Sequence, residues 1–134
     1  MASPLGRNAT LVSWVCQLTA AVILGQTLFF KFAGAPEARY IFTTLGVEPW
    51  GRIATGVLEL VAVLLLLYPR TAVFGAVLAL GLMGGAILSH LTRLGIDVQG
   101  DHGLLFTLAI IVLVVAAIIV VIRRRELPVV GERW

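Results

Sequence analysis

Four long apolar runs, parted by short polar breaks, constrain this chain more than any other feature. They cover residues 11–33, 50–68, 71–92 and 104–122. Each is close to the roughly 17–25 residues that an α-helix needs to cross the hydrocarbon of a bilayer. Composition points the same way: 60% of the residues are hydrophobic and 13% charged, against about 25% charged in a soluble domain. With a mean hydropathy of +1.04 over 134 residues, no soluble fold of this size hides so much apolar surface. The expectation is an all-α membrane protein, one four-helix transmembrane domain over residues 1–134, with the lipid bilayer as its main partner.

The punctuation between the runs sharpens that reading. Arg7 before the first run and Ala33-Gly34-Ala35 after it resemble a signal peptide, but the run is too long for an h-region of roughly 7–15 residues. It reads as a retained helix ended by Gly34 and Pro36. Residues 36–50 mix Pro36, Glu37, Arg39, Glu48 and Pro49 with Tyr40, Phe42 and Trp50, the composition of an interfacial loop with a short helix lying flat. The second helix has Trp50 and Tyr68 at its ends, where headgroups lie. Tyr68-Pro69-Arg70-Thr71 reads as a tight turn with Thr71 as N-cap of the third helix. That helix carries Gly75, Ala79, Gly81, Gly84 and Gly85, small residues that let neighbours approach closely. The fourth is nearly all Leu, Ile, Val and Ala, as suits a helix facing lipid.

The sequence pI of 9.8 accompanies a net charge of only +3. Arg123, Arg124 and Arg125 form a run directly after an apolar stretch, which is a membrane-topology signal rather than a phosphate-binding surface; nucleic acid is not an expected partner. An even number of spans puts both termini on one side with Arg7, Arg70, Arg123, Arg124, Arg125 and Arg133. Lys31, Arg39, Arg52 and Arg93 fall on the other. The bias places both termini in the cytoplasm, with residues 34–50 and 93–103 outside. Cys16 is the sole cysteine, so no thiol pair exists for exchange or a disulfide within the chain.

Glu59 is the most informative polar residue, because a charge at mid-membrane costs roughly 2.5–3.5 kcal/mol on insertion scales and must face the bundle. Arg52 and Thr55 share its helix face. Lys31 lies near the outer end of the first helix, with Thr27 one turn below and Gln17 further down; His90 and Arg93 lie near the outer end of the third. Lys31, Glu59, His90, Arg52, Arg93 and Trp50 are therefore the candidate ligand-binding residues, around an outward-opening cavity. Two readings stay open: a binding or proton-handling site, or a Lys31–Glu59 ion pair that locks helix packing while His90 bonds a carbonyl. The segment Asp97-Val98-Gln99-Gly100-Asp101-His102-Gly103 has no recognised metal-ligand spacing. Asp101 has a simpler expected role as N-cap of the last helix. No catalytic residue and no metal site is assigned, and no phosphate loop, nucleophile elbow or H-E-x-x-H is present.

Several short motifs, in order and at their spacing, resemble the DoxX-like family over about residues 18–128. They are Phe32-Ala33 after Lys31, Leu45-Gly46-Val47 with Trp50, Gly56-Val57-Leu58-Glu59-Leu60, Tyr68-Pro69-Arg70-Thr71-Ala72, Met83-Gly84-Gly85-Ala86 leading to His90, and Gly100-Asp101-His102-Gly103. The resemblance implies a four-helix bundle in a bacterial inner membrane. Some relatives are similar to the membrane subunit of a thiosulfate:quinone oxidoreductase, others belong to oxidative-stress complexes, and distant similar folds act as assembly chaperones or cargo receptors. Family alone does not fix an activity. Two functions follow as expectations: a quinone- or small-lipid-binding accessory subunit of a redox-associated complex, or a non-catalytic assembly factor docking a partner subunit or a second copy. A proton-coupled transporter stands third, since no broken helix is visible. Quinone is the one cofactor considered, on the polar cluster, its aromatic neighbours Phe29, Phe30 and Trp50, and the redox relatives.

Overall fold

A computed structural model describes residues 6–98 and 100–124. Gln99 and the basic residues Arg125 and Arg133 lie outside the described residues, as does the tail through Pro128 to which the resemblance extends. The described residues are helical, with no strand: α1 Arg7–Ala33, α2 Pro36–Thr44, α3 Trp50–Leu66, α4 Ala72–Ser89, a π-helical turn His90–Leu94, and α5 Leu104–Ile122. Three helices are long and apolar enough to cross a membrane: Arg7–Ala33, Ala72–Leu94 and Leu104–Ile122. The second apolar run forms α3, which at 17 residues, ending at Leu66 rather than Tyr68, is shorter than these.

Local chemistry sets most boundaries. Helix α1 starts four residues before its apolar run, because the polar turn from Arg7 to Thr10 extends the helix where hydropathy registers nothing. It ends at Gly34, whose φ of 69° is left-handed; the Ala35 N–H reaches back to the Phe30 carbonyl at 3.1 Å, closing the last turn. Pro36 then opens α2 at a position that needs no donor, with Glu37 in its first turn. Thr71 does hold the N-cap position of α4, but its hydroxyl donates backward to the Leu65 carbonyl at 2.9 Å rather than capping an N–H. The third apolar run does not stay α-helical to residue 92. It widens at His90, where the Gly95 N–H bonds the His90 carbonyl at 2.8 Å. Asp101 is not itself the N-cap of α5, which is Gly103. Its carboxylate nevertheless accepts from the Gly103 N–H at 2.8 Å and the Leu105 N–H at 3.1 Å, and so satisfies donors at the start of the helix.

Helices α1 and α4 each pack against both α3 and α5, closing a ring. In lipid no hydrophobic force draws helices together, so close van der Waals contact must do it. The centre is accordingly lined by small residues: Ala20, Ala62, Ala76, Ala79 and Ala116 are fully buried, among Leu24, Leu66, Val112 and Ile119. At Gly75 helix α4 presses on α3 so closely that a Cβ would lie 2.8 Å from the Leu66 nitrogen and 3.0 Å from the Ala62 oxygen. The outer faces are apolar and exposed, with Val15, Val22, Leu64, Val114 and Val121 all about half accessible or more. Water does not tolerate such a surface and acyl chains do. This is a multi-pass membrane protein.

Candidate functional site

Two buried polar clusters lie at opposite ends of the ring. The first joins α1 to α3. Lys31 Nζ, in the last turn of α1, sits 2.8 Å from Glu59 Oε1, and the Glu59 side chain is 2% exposed. The Thr27 hydroxyl lies 2.9 Å from Glu59 Oε2 and 3.0 Å from the Leu24 carbonyl, so its single proton is shared between them. Both carboxylate oxygens thus have partners, as a buried charge in low dielectric requires.

Beside this pair lies a cavity of about 910 Å³, reached by residues of every helix and of the π turn. Lys31, Glu59 and Thr27 line it together with His90, Thr55 and Trp50, and α2 contributes Glu37, Ile41 and Phe42. Its size and its apolar walls with few polar groups are those of a small-molecule site. Of the residues singled out in the sequence, Lys31, Glu59, His90 and Trp50 come to this cavity. Arg52 and Arg93 do not. Arg52 turns away to Glu48, with Nε 2.9 Å and 3.1 Å from its two oxygens, and its Nη1 donates to the Lys31 carbonyl. It therefore holds the end of α1, and hence Lys31, in position. Arg93 stands exposed on the π turn.

His90 is buried, 5% exposed, and its ring meets Phe106 edge-on at 5.5 Å. Its Nδ1 lies 2.9 Å from the Gly95 carbonyl. A carbonyl only accepts, which assigns the proton to Nδ1 and leaves the Nε2 lone pair available. No buried side-chain nitrogen or oxygen among the described residues lacks a partner, and Nε2 makes no hydrogen bond. That atom is therefore accessible, at a residue of the cavity wall.

The second cluster was not foreseen. Gln17 does not belong with Lys31, from which it is separated by about 21 Å of helix. It accepts from the Ser13 hydroxyl at 2.6 Å and donates to the Leu66 carbonyl at 2.7 Å. Arg123, buried at 6% exposure, donates from Nε to Ser13 Oγ at 2.8 Å and Gln17 Oε1 at 3.2 Å. The signal was present: Ser13 and Gln17 are four apart within an apolar run, hence on one face.

The loop before α5 spends its carboxylates on backbone. Asp97 Oδ1 accepts from the His102 N–H at 3.3 Å, and Asp101 Oδ1 accepts from the Val98 N–H at 3.0 Å. Burial pushes the Asp101 carboxyl up, but hydrogen bonds from the N–H groups of Val98, Leu105 and Gly103 outweigh it and hold the carboxyl below its ordinary 3.8. Among the described residues no three of His, Cys, Asp or Glu gather as metal ligands. Cys16 is buried in the core between helices.

No curated protein and no solved structure gives a match to the chain. The sequence model of the DoxX-like family matches residues 15–119, a stretch that contains the whole cavity. The chain belongs to the DoxX-like family.

Proposed function

We propose that this protein is a bacterial inner-membrane accessory subunit that holds a quinone, or a small lipid of like shape, in the cavity beside Lys31 and Glu59. The observation that carries the reading is the coincidence of roughly 910 Å³ of largely apolar space with a polar floor. A quinone ring fits such a site, because it needs an apolar slot with one or two hydrogen-bonding groups at its oxygens. The Lys31 ammonium, held by Glu59 through one oxygen, retains protons to donate to a ring carbonyl. His90 Nε2 accepts from a ring hydroxyl in the reduced form. An assembly factor that docks a partner remains the alternative outcome.

The same reading takes α3 as a fourth span, because it packs between α1 and α4 and its 17 residues reach the lower bound for crossing. Both termini then face the cytoplasm. With Cys16→Ser as background, Ile96→Cys should react with an impermeant maleimide on intact spheroplasts; reaction only after lysis reverses the orientation. Native mass spectrometry of gently solubilised protein tests the ligand. Quinone carried on the intact protein is the expected result. A spectrum of bare protein that also fails to retain added decylubiquinone removes the proposal, and a co-purified protein subunit in its place favours the assembly reading.

A further inference from the structure

The cavity has a second boundary that its polar floor does not explain: the seam between α3 and α4. At one end of that seam the helices touch. Ala62 and Leu66 of α3 are fully buried, and Gly75 of α4 leaves no room for a Cβ against them. The face of α3 that carries Ala62 continues through Leu58 and Ala54, one and two turns nearer its start. There the contact has ended, for Leu58 is 44% exposed and Ala54 is exposed too. On α4 the Gly75 face continues through Leu82 and Ala86, both only half-buried and both on the cavity wall. At the same height, about 9 and 15 Å beyond Gly75 by helix rise, Gly81 and Gly85 stand on the outer side of that face. Both are exposed, and a Cβ added to either meets nothing within 4 Å. Ala54, Leu58, Gly81 and Gly85 also line the cavity. The two helices therefore part as they leave Gly75, and the gap connects the cavity with the apolar exterior of the bundle.

We propose that this gap is a lateral portal that admits the single hydrocarbon tail of a membrane-dissolved amphiphile, whose uncharged head rests at Lys31, Glu59 and His90. The inference rests on the cavity being a ligand site, and it adds the route and the class of ligand. The rim is entirely apolar, built by Ala54, Leu58, Gly81 and Gly85, so no charged or hydrated group crosses it cheaply. The floor is polar but its Lys31–Glu59 pair is internally neutralised. A neutral head offering both a donor and an acceptor complements the Lys31 ammonium and the open His90 Nε2. An occupant that satisfies rim and floor together is polar at one end and apolar at the other. At Gly81 and Gly85 a Cβ would stand in open space, so only a long side chain there reaches across the gap.

The test uses the full chain in phosphatidylcholine vesicles and two photoreactive alcohols: a long-chain alkanol with a diazirine beside its hydroxyl, and a short water-soluble alcohol with the same head. The readout is the covalent adduct on buried Glu59, mapped by mass spectrometry. Both probes should label wild type. Gly85→Leu should cut the long-chain adduct about tenfold or more, because a side chain then fills the portal. It should leave the short probe, which has no tail to pass through the gap, near its wild-type level. Gly84→Leu is the control, since Gly84 is exposed with the same empty surroundings but does not line the cavity; it should change neither adduct. The portal is overturned if Gly85→Leu leaves the long-chain adduct undiminished, or if both adducts fall together because the new side chain merely fills the cavity. It is equally overturned if wild type shows no long-chain adduct, including because a second copy seals the gap. Loss of quinone binding with Glu59 labelling intact would instead strike the quinone reading and leave the portal standing.

Discussion

The two buried polar clusters are built from similar material and sit in opposite surroundings. Ser13, Gln17 and Arg123 are packed to closure, with Ser13 and Gln17 fully buried and Arg123 nearly so, and none of the three borders the cavity. Lys31, Glu59 and Thr27 also satisfy one another, yet they face about 910 Å³ of open space. A polar group inside a membrane protein is thus not a functional signal by itself. One cluster ties α1 and α5 to the α3–α4 turn; the other leaves donors and a lone pair beside a space that a ligand can fill. The difference comes from the surrounding residues: alanines and leucines close the first end, while Gly81, Gly85 and Ala54 hold the second end open.

The largest effect that would break this contrast lies in the ion pair. Lys31→Met leaves Glu59 unpaired in low dielectric, a cost of about 3–5 kcal/mol unless the carboxyl takes up a proton. Lys31→Met combined with Glu59→Gln should recover much of it. Melting temperatures of wild type, both single variants and the double form the cycle, and simple additivity would show that the pair carries no coupling.

Arg123→Gln is expected to come next. It removes charged hydrogen bonds to Ser13 and Gln17, each worth about 1.5–3 kcal/mol at most. It should lower the melting temperature yet leave ligand affinity unchanged, which separates a lock from a site. A comparable loss of affinity would erase the distinction between the ends.

Acid should act through the loop, more weakly. Because the folded Asp101 carboxyl titrates below its ordinary 3.8, its contribution is complete above that value and fades as pH falls through the folded one. Melting temperature should decline on acidification below about pH 4, and Asp101→Asn should flatten that decline. An acid limb unchanged in the variant would remove Asp101 as its cause.

The smallest expected change is Cys16→Ser. A buried hydroxyl in a helix finds a carbonyl, and hydrogen bonds between membrane helices average about 0.6 kcal/mol. Stability should move by no more than that and quinone binding not at all; lost binding at normal expression would reveal a redox partner for the thiol.

How much of this was legible in the sequence follows from what hydropathy and spacing can carry. The helices were, because apolar runs broken by Gly34-Ala35-Pro36 and by Tyr68-Pro69-Arg70 leave the backbone few choices. The Lys31–Glu59 pair was also legible, since a carboxylate in the midst of an apolar run demands a nearby cation. Arg52 was misplaced because the helix face gives a direction but not the competitor, and Glu48 one turn back lies closer than the cavity. Arg123 looked like its neighbour Arg124, yet one is buried and the other is not. Only the meeting of α5 with α1 separates them. The π turn at His90 depends on the bond from Gly95 and leaves no trace in hydropathy. The cavity itself is made by missing side chains, and glycine in a membrane helix signals close packing as readily as a gap. Gly75 and Gly85 show both outcomes on one helix.

The measurement that bears most directly on the ligand site is quenching of Trp50, a residue of the cavity wall, in a background with Trp14→Phe and Trp134→Phe. Decylubiquinone should quench it saturably in wild type. Lys31→Met combined with Glu59→Gln should abolish saturation, while Arg123→Gln retains it. Saturable quenching that survives the floor variant, or that vanishes with Arg123→Gln at full folding, would contradict the assignment of the ligand to the open end.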